Sequence, residues 1–110
     1  MELQIRQEQS ATVISVSGRL DTTTAAEFEK KLGEVIASGN KMLVLNMAEL
    51  SYISSAGLRV VLQIAKDLKS GQGDIFLASL SNPVKEIFDM SGFSTIFKSF
   101  ETEEAALENI

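Results

Sequence analysis

A chain of 110 residues, 45% hydrophobic and 23% charged, is the size of one globular domain and can bury a single core without staples. It has no cysteine and no histidine, which excludes disulfides, thiolate chemistry and the usual zinc ligands and removes the commonest general base. A net charge of -5 without a Lys/Arg cluster argues against nucleic acid or an anionic membrane as partner, and no apolar run approaches the ~20 residues of a membrane span.

The amino terminus, "MELQIRQEQ", is too polar for a signal peptide, so a cytoplasmic protein with a protein partner is expected. The segments "LQIRQ" and "ATVISVSGRL" alternate apolar and polar residues and are expected to form two half-buried strands joined by a turn at Glu8 to Ser10, with Gly18 breaking the second. A helix follows in "DTTTAAEFEKKLGEVIASG". Thr24 and Glu27 have capping-box spacing; Ala25, Phe28, Leu32, Val35 and Ile36 share one face, and Gly39 is the stop. "KMLVLNM" is a short, nearly continuous apolar run, as a central parallel strand covered on both faces requires.

A second helical pattern runs from Leu58 to Leu68 and stops at Gly71 and Gly73. Leu58, Val61, Leu62, Ala65 and Leu68 make its core stripe, while Arg59, Gln63 and Lys66 line a solvated one. Val60 and Ile64 widen the apolar face, either as a docking patch or as further core under a neighbouring helix. "DIFLASL" reads as another buried strand. "NPVKEIFDMSG" reads as a short helix capped by Asn82, with Pro83 at its first position and Gly92 past its end. "STIFKSFE" can make an edge strand, and "TEEAALENI" a last helix with Thr102 as cap and Glu103 and Glu104 in the first turn. The expected fold is a single α/β domain with a mixed, mostly parallel sheet and about four helices, in the order ββαβαβαβα.

In such sheets the loops leaving the carboxyl ends of the strands form the usual binding edge. "YISSAGLR", residues 52 to 59, falls on one of them and carries two adjacent serines. Three roles compete for Ser54 and Ser55. One of them can simply cap the following helix, whose start is expected near Gly57. Ser55 as a nucleophile is disfavoured, because Ile53 stands where the G-x-S-x-G elbow needs its first glycine and no histidine is present to take the proton. The third role is modification by another enzyme, since a phosphoryl group at a helix start meets unpaired amides and would disturb a docked partner rather than the fold. The "GQGD" stretch lacks the lysine and the helix-start placement of a phosphate loop, and no cofactor or metal is expected.

The element order, together with "VSGRLDTTTA", "LVLNMAELSYISSAGLRVVL" and "NPVKEIFDMSGFSTIF", resembles the STAS domain family, specifically the anti-sigma factor antagonists of bacterial partner-switching systems. The resemblance covers essentially the whole chain, and the middle motif is the most specific. It implies a non-enzymatic phosphoprotein that regulates transcription. The unphosphorylated form binds an anti-sigma factor that is also a GHKL-type serine kinase, and so frees a sigma factor. The kinase phosphorylates Ser55, and a metal-dependent serine phosphatase resets the switch. Asp21, Ser54, Ala56, Gly57, Leu58 and Arg59 are the partner-binding residues the resemblance implies. Relatives often have an acid where this chain has Ser54 and another where it has Asn46, and both changes are expected to remove negative charge near Ser55. The alternative is a STAS subunit that binds constitutively, as a structural part of a transporter or signalling scaffold, without a reversible phosphate.

Overall fold

The computed structural model describes residues 1–110. Strands β1 (Glu2–Gln7) and β2 (Thr12–Leu20) are followed by α1 (Ala25–Ala37), β3 (Met42–Ile53), α2 (Ser55–Ser70), β4 (Asp74–Ala78) and α3 (Asn82–Met90). A 3-10 turn at Phe93–Thr95, β5 (Lys98–Phe100) and α4 (Glu103–Glu108) complete the chain. The sheet has the order β1-β2-β3-β4-β5, with β1 antiparallel to β2 and the remaining pairs parallel. Each parallel pair needs a crossover, and α1, α2 and α3 supply them.

The strands divide their side chains between two cores. Leu43 and Leu45 of β3 join α1, α2 and α3 through Phe28, Leu32, Val61, Ile64 and Phe88. Val44, pointing the other way, joins Val13, Phe76 and Ala78 beneath Ala106 of α4. All three of these β3 residues are fully buried, as a central strand with helices on both faces requires.

The element order agrees with the expectation, and the differences are local. β1 is an edge strand rather than a half-buried one: Leu3 packs on the core, but Ile5 is 51% exposed. Gly18 does not end β2. The strand continues to Leu20 through a register shift against β3 between Gly18 and Arg19, and Gly18 takes the positive φ of 90° that this shift allows. β3 runs on to Ile53, well past the apolar stretch, because β2 keeps pairing with it. Asn82 lies inside α3; the cap position is Ser81, whose hydroxyl donates to the Leu50 carbonyl at 3.1 Å instead of capping the helix. Only Lys98–Phe100 of the "STIFKSFE" stretch is strand.

Candidate functional site

Leu20 and Ile53 are side by side at the carboxyl edge of β2 and β3, and the Ser54 amide donates to the Leu20 carbonyl at 2.8 Å. β3 is therefore held in the sheet until the residue at which it turns. Ser54 alone links strand and helix, in extended conformation with φ -88° and ψ 172°, and α2 begins at Ser55 rather than near Gly57 or Leu58. The Ser54 hydroxyl accepts from the Gly57 amide at 3.1 Å, satisfying one of the orphan donors of the first turn. That settles the cap. Ser54 is 8% exposed, and a serine there does the capping work of an aspartate without burying a carboxylate.

Gly57 fixes the height of the helix above the sheet. A Cβ at this position would lie 2.9 Å from both Ile53 Cγ1 and Leu20 Cγ, so only glycine lets the first turn sit directly on the strand ends. With Gly57 and Leu58 turned inward, Ser55 and Arg59 are exposed and Ala56 is half-buried. Ser55 and Arg59 stand one turn apart on the same helix face. Ser54, Gly57 and Leu58 thus set the position of the turn, and Ser55, Ala56 and Arg59 make its surface.

Asp21 follows Leu20 at the same edge. Its Oδ1 accepts from the Thr23 hydroxyl at 2.7 Å and from the amides of Thr23 and Thr24 at 3.0 and 3.2 Å. The Thr23 hydroxyl bond is the main reason its carboxyl titrates below the ordinary range, against a smaller opposing effect of desolvation. These bonds make Asp21 the residue that organises the turn into α1. The Thr24–Glu27 capping box does not form, because Thr24 has helical backbone angles and its hydroxyl is engaged by the Arg19 carbonyl and the Asp21 amide.

One open alternative is decided and one expectation changes. Ile64 is buried, Val60 is half-buried against the same core and Leu62 is only half-buried, so the extra apolar width of α2 is core rather than a docking patch. Asn46 is not near Ser55. Its Nδ2 donates to Glu103 Oε1 at 3.0 Å beneath α4, and Ile53 is roughly 20 Å further along the strand. Its neutrality therefore has no bearing on the charge around the serine.

One cation at this edge escaped the sequence reasoning. The Arg19 guanidinium lies 4.4 Å from the centroid of the Tyr52 ring and 3.9 Å from Asp21 Oδ2. Arg19 and Tyr52 are register partners; of the two register shifts that bring them together, the one at Gly18 is marked by the glycine and the one between Ser15 and Ser17 by no breaker residue.

A family model described as the STAS domain matches residues 2–106. The chain belongs to the STAS domain family. This STAS domain is 37% identical over 106 residues to BtrV of Bordetella bronchiseptica, named as an anti-sigma factor antagonist, and the match covers 96% of this chain and 91% of that protein. It superimposes on the anti-sigma factor antagonist SpoIIAA in its unphosphorylated form with a TM-score of 0.84 at 25% identity, covering 98% and 95% of the two chains. The phosphorylated form of the Bacillus cell fate determinant SpoIIAA shares the fold as well, with a TM-score of 0.76 at 24% identity and 98% of each chain covered. No helix of this STAS domain is long and apolar enough to cross a membrane.

Proposed function

We propose that this STAS domain is an anti-sigma factor antagonist that binds its partner through the start of α2 and is switched off by phosphorylation of Ser55. The observation that carries this reading is the contrast between two adjacent serines. Ser54 is buried and its hydroxyl is committed to the Gly57 amide, whereas Ser55 is exposed on the first turn. An approaching kinase can reach only the second.

Transfer of the γ-phosphoryl group of ATP to Ser55 Oγ forms the serine phosphoester, breaks the bond to ADP and releases the hydroxyl proton. About -1.5 to -2 charges are added at a helix start, where the dipole tolerates an anion, so the fold persists. A partner fitted to Ser55, Ala56 and Arg59 then meets a dianion where it had met a hydroxyl. The partner in this reading is a GHKL-type serine-kinase anti-sigma factor, whose sigma factor is released while the antagonist is bound. A metal-dependent serine phosphatase hydrolyses the phosphoester to restore Ser55 and release inorganic phosphate. Asp21 and the Arg19–Tyr52 pair flank the same edge and are assigned to partner contact. The names of BtrV and SpoIIAA support the reading, as does the existence of SpoIIAA in unphosphorylated and phosphorylated forms.

Titration calorimetry against the kinase anti-sigma factor tests it. Ser55→Asp should weaken binding by roughly tenfold or more, as a charge placed in a neutral interface does. Ser55→Ala should bind like the wild type and resist modification. Wild-type affinity in both variants would refute the electrostatic switch.

A further inference from the structure

We propose that Asn46, Glu103 and Arg6 form a charge-matched clasp that holds α4 on the sheet, and that α4 is the detachable element of the domain. The inference does not depend on the role of Ser55.

α4 has six residues, and Ala106 is the one that is fully buried. Isolated helices shorter than about 12 residues are marginal in water, so α4 owes its helix to docking. Its contacts are few. Ala106 sits over Val44, Phe76 and Ala78, the half-buried Leu107 packs against the same cluster, and the Thr102 hydroxyl caps the helix by accepting from the Ala105 amide at 3.1 Å. The rest is polar. Asn46 Nδ2 of β3 donates to Glu103 Oε1 at 3.0 Å, and the Arg6 guanidinium of β1 pairs with Glu103 Oε2.

The clasp is specific in charge. Asn46 Oδ1 accepts from the Ala48 amide at 3.0 Å, which turns the NH2 end of the side chain toward Glu103. The Glu103 side chain is only 16% exposed, so its carboxylate depends on these donors. Burial pushes its pKa upward, yet the bonds from Asn46 and Arg6 outweigh it and leave the group below the ordinary carboxylate range. An aspartate at position 46 would put two carboxylates in hydrogen-bond contact with no proton between them. Neutrality at this position is therefore matched to an acid at position 103, and the helix it retains lies on the face opposite α2. Opening the clasp would uncover Val44, Phe76 and Ala78 and leave the seat of Ser55 in place.

Site-resolved amide hydrogen exchange on the full chain tests this. In Asn46→Asp the amides of Ala106 and Leu107 should exchange about tenfold faster, the equivalent of losing one hydrogen bond to a charged group, while those of Leu45 and Leu77 keep wild-type protection. Adding Glu103→Gln should bring the α4 amides back toward wild-type rates, because the new amide can donate to the introduced carboxylate. Unchanged α4 exchange in the single variant would overturn the proposal. So would an equal rise across the whole sheet, or failure of the second substitution to restore protection.

Discussion

Between the sheet and α1, α2 and α3 lies a cluster of 21 buried residues, whereas the cluster between the sheet and α4 has six. The first face places α2 by close packing, with Gly57 against Leu20 and Ile53; the second holds its helix through one buried alanine, the half-buried Leu107 and a polar clasp. The lesson concerns where a charge can be added. A helix anchored along its length by Leu58, Val61, Ile64, Ala65 and Leu68 can take a new charge at its first residue without leaving the sheet. A helix such as α4 cannot be counted on to do the same.

The contrast can be broken most forcefully at Gly57. Gly57→Ala should destabilise the domain by about 1–3 kcal/mol, because the added methyl overlaps Leu20 and Ile53 and lifts the first turn of α2. The denaturant midpoint reads this, and a midpoint equal to that of the wild type would show that α2 is not seated as tightly as described. A smaller effect belongs to the cap. Ser54→Ala should remove about 1 kcal/mol, since the Gly57 amide loses its acceptor in a buried position. Its chemical-shift changes should stay at the start of α2, and changes spreading to α4 would mean that the two faces are coupled. The clasp variants complete the series, with effects confined to the last helix.

How much of this could be read from the sequence depends on the range of the interaction. The order of strands and helices was legible because hydrophobic period, glycine stops and the Thr102 cap act within a few residues. The seat of the site was legible in part, since a serine before a helical pattern already suggests a cap. The division between Ser54 and Ser55 needed the exact helix start, which the pairing of Leu20 with Ile53 fixes from another strand. The Thr24–Glu27 signature misled because Asp21, three residues earlier, takes with its carboxylate the Thr24 amide that Glu27 would have reached, and the Thr24 hydroxyl is engaged by Arg19 and Asp21. Asn46 could be compared with its relatives but not explained, because Glu103 lies 57 residues away in the chain.

The most direct measurement is intact-mass analysis with site mapping after incubation with Mg-ATP and each GHKL-type serine kinase encoded near this protein in its genome. A single phosphate on Ser55, with Ser54 unmodified, is the predicted result. Phosphate on Ser54, or a stable complex with such a kinase in which no phosphate is transferred, would contradict the assignment.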